Sequence, residues 1–402
     1  MHNYIMKSLN DYKEEIYKCS KCGLCQSVCP VYETTKNESS VSRGKFILLN
    51  GIIQNELKLN NSIINNLNSC LNCNACRDFC PSDINSREIF ACAKNEYNKQ
   101  KNAIKFINSV KLHEFKLKSI SILIFVYKFL RLDKLTNGLL KKTESKSKVS
   151  NFILLFNYLI EEKSKYRKLK KTNPPKGKIL FFESCYSKYI NPGSKNASLN
   201  LLEELGYEVI KKKTNCCGVH SYYSGYFDDF EKNAESNFKK IPEDIDYITS
   251  DCDSCSSALK LYDDFLNSEH KISFKITSLS KLLKENEFEI ASSKKTNIIY
   301  HKPCNSDDNH LSLLKSLKNI GCLIENTNCC GFSSALSLKY NEIAEEISKK
   351  SAKEIIKNNP DIVITSCHSC KIGIKAGLLA KASNVDVLSL SEFLDSRNDS
   401  IK

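Results

Sequence analysis

Glycine is scarce, at 13 in 402 residues, and no G-x-G-x-x-G or G-x-x-x-x-G-K-[ST] run occurs. Without such a turn there is no cradle for a dinucleotide or nucleotide phosphate. Ser-His-Asp and H-E-x-x-H patterns are also absent, so the sequence offers no obvious means of taking a hydride from an organic substrate. No uncharged apolar run reaches the roughly 18 to 20 residues that span a bilayer. Residues 1–10 lack an apolar core before a small-residue cleavage site, so no signal peptide is expected. What is abundant is cysteine, at 20 residues. A secreted disulfide scaffold would spread its cysteines through a short chain. Here 18 of the 20 fall into four sets, as metal ligands do. A chain rich in thiolates and not exported is expected in a reducing cytoplasm.

The first set is Cys19, Cys22, Cys25 and Cys29, followed by Pro30; the second is Cys70, Cys73, Cys76 and Cys80, followed by Pro81. Both read C-x2-C-x2-C-x3-C-P, the run of bacterial two-cluster ferredoxins. Three cysteines at three-residue intervals let a tight loop offer three thiolates to one face of a cube. The fourth has turned away, and in such ferredoxins it ligates the other cluster. The expected ligands are therefore Cys19, Cys22, Cys25 and Cys80 for cluster one, and Cys70, Cys73, Cys76 and Cys29 for cluster two. Zinc also accepts C-x2-C pairs, but structural zinc takes two pairs, not triplets with a trailing Cys-Pro. Between the runs, Leu48, Leu49, Ile52, Ile53 and Leu57 follow Ser42 at helical spacing, and residues 84–97 again read as helix. Arg43 and Lys45 are read as a solvated helix start rather than as residues tuning cluster one.

The C-terminal half contains an internal repeat. One copy runs from Lys178 to about Lys260, the other from Asn297 to about Ala376. Each opens on a β-rich run (Ile179 to Phe182; Ile298 to Tyr300) that closes on Cys185 or Cys304. A helical stretch follows, Leu199 to Leu205 or Leu311 to Leu317. Then comes Thr-Asn-Cys-Cys-Gly, with Cys216 and Cys217 in one copy and Cys329 and Cys330 in the other. A further strand (Tyr247 to Thr249; Ile362 to Thr365) ends in C-x2-C, at Cys252/Cys255 and Cys367/Cys370. Alternating strand and helix predicts a parallel α/β sheet in each copy. All five cysteines of a copy would then lie at the strand ends, where open α/β sheets build their sites. Cys92 and Cys322 stand outside every set; Cys322, ahead of a strand, reads as core. His301 and His368 read as hydrogen-bonded structural histidines rather than groups that tune a cluster or shuttle a proton.

With these motifs the chain resembles the glycolate oxidase iron–sulfur subunit family: a two-cluster ferredoxin-type domain followed by two cysteine-rich CCG domains. An anaerobic glycerol-3-phosphate dehydrogenase subunit shares the layout, and heterodisulfide reductase subunits share part of it. Cys29-Pro30-Val31-Tyr32 and Ser42-Arg43-Gly44-Lys45 look most like the glycolate oxidase subunit. The resemblance implies flavoprotein dehydrogenase partners that oxidise a 2-hydroxy acid (glycolate or lactate), with this chain carrying electrons onward to membrane quinone. It also implies one or two further clusters in the CCG domains. In heterodisulfide reductases each CCG motif holds a non-cubane [4Fe-4S] cluster and the pair cleaves a disulfide, so a thiol–disulfide oxidoreductase is the alternative. The second copy has 24 residues between Cys304 and Cys329 against 30 between Cys185 and Cys216, which leaves zinc open for its site.

Residues 101–176 hold 19 Lys and Arg against 5 Asp and Glu, a net of 19 − 5 = +14, equal to the charge of the whole chain. Two apolar blocks lie within them, Ile120 to Leu130 and Phe152 to Ile160. Basic amphipathic helices lie on anionic membrane faces; equally, such helices pack on neighbouring domains with their lysines solvated. Nucleic acid is not an expected partner, since no nucleic-acid module accompanies the charge. The expected fold is multi-domain α and α/β. It comprises a mostly helical two-cluster domain (1–100), a basic helical linker (101–176) and two repeated α/β CCG domains (177–292 and 293–402). The location expected is cytoplasmic, peripheral on the cytoplasmic membrane face if the linker binds lipid.

Overall fold

A computed structural model describes residues 7–101, 107–132, 136, 148–167, 174–266, 271–288, 295–306, 309–332 and 339–398. Most lysines and arginines of the 101–176 segment lie outside the described side chains. The chain gathers into two compact units. The first holds residues 1–111, 218–232 and 329–348; the second holds 112–217, 233–328 and 349–402. The stretch that follows each Cys-Cys pair thus groups with the N-terminal helices.

The first unit is helical. Helices Ser42–Ile53, Asn61–Asn68 and Ser86–Gln100 follow the apolar spacing of the sequence, although Leu57 lies beyond the first of them. Phe46 and Leu49 point inward from the first, Ile63, Ile64 and Leu67 from the second, and Ile89, Phe90 and Ala93 from the third. The pattern is i, i+3, i+4, which places apolar side chains on one helix face. Asn60 caps the second helix, its Oδ1 accepting from Ile63 N at 3.1 Å, so an orphan amide of the first turn is satisfied. Residues 218–232 pack on the third helix: Asn98 Nδ2 donates to the Gly225 carbonyl at 2.9 Å and Lys94 Nζ to the Tyr223 carbonyl at 3.1 Å.

The second unit contains both repeats. Strands β1 (Lys178–Phe182), β2 (Glu208–Lys211) and β3 (Tyr247–Ser250) form a parallel sheet of order β2-β1-β3. Strands β4 (Thr296–His301), β5 (Ile320–Asn326), β6 (Ile362–Thr365) and β7 (Asp386–Ser389) form a parallel sheet of order β5-β4-β6-β7. Four of these strands follow the predicted runs, while β2, β5 and β7 are additional. Cys322 was expected ahead of a strand and in a core; it lies inside β5 and is exposed. The two sheets share one apolar core, in which Ile179, Phe181, Leu201 and Leu202 of the first copy join Ile298, Tyr300, Ile364 and Leu394.

The two apolar blocks of the basic segment behave differently. Helix Lys148–Ile160 packs on the second copy: Tyr158 Oη accepts from Val387 N at 2.8 Å, and Lys375 Nζ stands 4.3 Å from its ring centroid. Helix Ile107–Phe129 turns Ile124 inward, and Tyr127 meets Phe156 edge-on at 5.2 Å. Its other side is bare, with Ile122 65%, Phe125 69% and Phe129 75% exposed. Among the described residues no helix is long and apolar enough to cross a membrane.

The glycine of each Cys-Cys-Gly adopts a left-handed backbone, φ 80° at Gly218 and 74° at Gly331. A Cβ at Gly331 would collide with the Ala344 carbonyl and crowd Ser348 N, so helix Asn341–Lys357 approaches this turn only because the side chain is absent. Gly331→Ala is expected to cost about 1–3 kcal/mol through backbone strain, read as a lower urea midpoint of the metal-loaded protein. An unchanged midpoint would show that the turn relaxes freely.

Candidate metal centres

Each ferredoxin-type run bends through left-handed residues at the same two places. They are Lys21 (φ 59°) and Gly23 (φ 89°) in the first, and Asn72 (φ 54°) and Asn74 (φ 65°) in the second. Positive φ is costly except at Gly and, less so, Asn, and three of these four positions carry those residues. The bends curl the three cysteines of a run around one point. A short helix follows the second of these bends in each run, Leu24–Ser27 and Ala75–Asp78. Pro30 then opens helix Pro30–Thr35, whose N-cap is Cys29; Tyr32 N lies 3.5 Å from the Cys29 Sγ.

The fourth cysteines cross over. Cys80 lines one pocket with Cys19, Cys22 and Cys25, a pocket that Cys76 also borders. The thiol facing Cys29 most strongly belongs to Cys70. Burial pushes the thiols of Cys25, Cys29 and Cys76 up, because an isolated thiolate is poorly solvated there. Cys22 is exposed, and its thiol is lowered by the Leu24 amide and, further down, by Arg43. The hydroxyls of Ser42 and Ser86, 2.9 Å apart and buried, both hydrogen-bond Cys76.

Lys45 departs from expectation. It was read as part of a solvated helix start, yet it is 1% exposed. Its amino group donates to the Ser40 carbonyl and faces Cys70, Cys29, Cys76 and Cys25, in decreasing order of influence. Arg43 does sit at the surface, paired with Glu38 at 2.6 Å. Lys94 is a second buried cation, pulled down to about 8 by burial, with Cys70 the thiol that faces it. The signal for both was weak, since lysine is rarely buried unless paired. Buried cations beside clustered thiols fit an anionic group such as a thiolate-ligated cubane, which, when bound, supplies a one-electron carrier.

In the second unit the five cysteines of the first repeat converge. Cys185 starts helix Cys185–Tyr189 past β1, Cys216 and Cys217 follow β2, and Cys252 caps helix Asp253–Lys260 past β3. Cys185 hydrogen-bonds Cys216, Cys255 hydrogen-bonds Cys217, and Cys252 contacts Cys255. These thiol contacts, with burial, hold Cys185 and Cys255 well above the ordinary thiol range. Metal binding would release those protons, since the ligand form is the thiolate. Tyr262 Oη and Asn237 Nδ2 donate to the carbonyls of Cys217 and Cys216, at 3.0 and 3.2 Å, and fix the Cys-Cys turn.

The two C-x2-C motifs meet within this unit. Cys252 and Cys367 are hydrogen-bonded, Ser254 Oγ lies 3.2 Å from Cys367 Sγ, and Asp253 N donates to the Ser366 carbonyl at 3.0 Å. Hydrogen bonds from Cys252 and Cys370 hold the Cys367 thiol well below its usual range. Two histidine–carboxylate pairs brace the contact. His368 Nε2 lies 3.1 Å from Asp251, which also accepts from Ser184 Oγ at 2.9 Å, and the His368 ring stacks on Tyr186 at 4.5 Å. His310 Nε2 lies 3.0 Å from Asp253. His368 is thus the hydrogen-bonded histidine expected. His301 is buried with Nδ1 unpartnered, and a ring nitrogen and the Cys370 Sγ lie within 4.8 Å. Sequence reading missed Asp251, Asp253 and His310; only the two aspartates flanking Cys252 hinted at them.

The second set divides between the units. Cys304, Cys367 and Cys370 belong to the second unit, where Cys304 is exposed in the turn after β4 and the other two are buried. Cys329 and Cys330 belong to the first. There Cys329 packs with Cys29 and Cys73 against Val31, Leu71, Ala344 and Ile347. Cys92 is also buried there, its Sγ 3.1 Å from the Lys7 carbonyl and its thiol pushed up to about 12 by burial.

Comparison with known proteins agrees with these centres. Residues 15–84 match the 4Fe-4S dicluster domain family, and residues 179–260 and 298–375 match the cysteine-rich domain family. The chain is 23% identical to a probable glycolate oxidase iron-sulfur subunit of Bacillus subtilis, over 92% of this chain and 91% of that one. It is 25% identical to lactate utilization protein A of the same organism, over 55% of this chain and all of that protein. It is 30% identical to a fumarate reductase (CoM/CoB) subunit of Methanothermobacter marburgensis, over 55% of this chain and 46% of that one. Two [4Fe-4S] clusters in the first hundred residues and an oxidoreductase setting follow from these matches. The chain belongs with the iron–sulfur proteins that join a 4Fe-4S dicluster domain to two cysteine-rich domains, and it is a homologue of a glycolate oxidase iron–sulfur subunit.

Proposed function

We propose that this chain is the electron-transfer subunit of a flavin-dependent 2-hydroxy acid dehydrogenase, taking electrons from a flavoprotein partner and passing them towards membrane quinone. The observation that carries the reading is the pairing of two cubane-type cysteine runs with a chain that lacks any nucleotide or flavin cradle. The likeness to a probable glycolate oxidase iron–sulfur subunit over nearly the whole chain supports glycolate or lactate as substrate of the complex. In this reading Cys19, Cys22, Cys25 and Cys80 hold cluster one, and Cys70, Cys73, Cys76 and Cys29 hold cluster two. The CCG cysteines, Cys185, Cys216, Cys217, Cys252 and Cys255 with Cys304, Cys329, Cys330, Cys367 and Cys370, hold the further centres.

The chain's own residues bind and insulate these centres. Ser42 and Ser86 direct hydroxyls at Cys76, and Asp251 with His368 holds the two repeats in register. A second reading, thiol–disulfide reduction at the CCG centre, draws support from the Cys252–Cys367 contact, which brings thiols of both copies together.

The exposed face of helix Ile107–Phe129, within a segment of net charge +14, supports a peripheral site on an anionic, cytoplasmic membrane face. The protein is expected to float with vesicles containing anionic phospholipid and not with zwitterionic ones. Phe125→Glu with Phe129→Glu should reduce flotation at least fivefold, the order expected when about 1 kcal/mol of burial is lost. Flotation unaltered by the double substitution would remove this surface from the account. For the crossed ligands, Cys80→Ser should alter the EPR signal of the cluster at Cys19, Cys22 and Cys25; a change confined to the other cluster contradicts the assignment. The function itself is tested by anaerobic isolation with bound partners and addition of glycolate or lactate. Cluster EPR signals should appear as the flavin is reduced, whereas a reduced flavin beside fully oxidised clusters would sink the reading.

A further inference from the structure

Helix Ser42–Ile53 passes close over the turn at residues 38–40, and Gly44 allows it, since a Cβ there would strike the Glu38 carbonyl. That approach carries the Lys45 amino group inside, onto the Ser40 carbonyl. A neutral carbonyl does not balance an ammonium buried to 1% exposure. The groups facing it are thiols, led by Cys70, Cys29 and Cys76. Lys94, 2% exposed, faces the same Cys70 and has Lys45 as its like-charged neighbour. Two ammonium groups buried on one side of Cys70 need an anion there. An oxidised cubane with four thiolates carries about −2 and gains one more negative charge on reduction. The first run differs: its cation is Arg43, which lies at the surface and is already paired with Glu38, and its Cys22 is exposed.

We propose that Lys45 sets the potential of the cluster held by Cys70, Cys73 and Cys76, holding it above that of its neighbour. One electron arrives from a reduced flavin or a chemical reductant, no bond forms or breaks, and the fixed ammonium stabilises the added charge in a site that water cannot screen. Lys45 is a positioning residue for charge, and Gly44 and the Ser40 carbonyl hold it in place. The effect rests on the cluster being present, not on the identity of the flavoprotein or its substrate.

The test is an EPR-monitored redox titration of the full chain with dithionite, after iron and sulfide are measured in each sample. Cys73→Ser identifies which signal belongs to the second run. Lys45→Gln should lower the reduction equilibrium constant of that cluster at least tenfold, about 59 mV for one electron. The other cluster should move by less than a third of that shift in mV. Lys45→Arg should restore the native potential. Equal shifts in both clusters, no shift in either, or the same shift in Lys45→Arg overturn the proposal. Where Lys45→Gln takes up less than its full iron, Lys94→Gln carries the test: the same cluster falls alone, by a smaller factor, and an unmoved potential overturns the proposal.

Discussion

Gathering sulfur anions away from water is the constraint on which the rest of the molecule depends. A thiolate in a dry site is unstable alone, and several together are worse. The protein meets that cost with three devices: metal, which neutralises the thiolates; backbone and hydroxyl donors such as those at Cys29 and Cys76; and buried cations. Lys45 and Lys94 are the clearest instance of the third. Their positions make sense only beside an anion, so they are features of the metal-loaded protein.

The same constraint shapes the repeats. A parallel sheet delivers the ends of sequence-distant strands to one edge, and each Cys-Cys-Gly supplies a left-handed turn at that edge. In the first copy all five thiols converge and interlock by hydrogen bonds. Polar groups of both copies then lock the C-x2-C motifs together through Asp251–His368 and Asp253–Ser366. These contacts are short, buried and charge-assisted, which makes them specific more than stabilising. Two copies that share a core and a polar seam behave as one body rather than as tandem modules.

Much of this was legible in the sequence, and the reason is spacing. Cysteine triplets, the repeated Thr-Asn-Cys-Cys-Gly and the apolar runs that became β1, β3, β4 and β6 are local signals. Strands β2, β5 and β7 were missed because Glu208–Lys211 and Asp386–Ser389 are only four residues long. In β5 the glycine Gly321 breaks the apolar run. Cys322 was misjudged because its run is partly exposed. The burial of Lys45 was illegible for a different reason: it depends on a close approach at Gly44 to a turn earlier in the chain. Partners such as Asp251 and His368, more than a hundred positions apart, leave no periodic trace either.

The central claim is that the convergent thiols of both halves hold iron and sulfide, so that the chain is an electron carrier throughout. Iron, zinc and acid-labile sulfide analysis of anaerobically purified protein tests it most directly. The account predicts well over eight irons per chain, approaching about sixteen if every set is filled with a four-iron cluster, with matching sulfide. About eight irons together with stoichiometric zinc would contradict it, confining electron transfer to the first hundred residues and leaving the repeats a structural role.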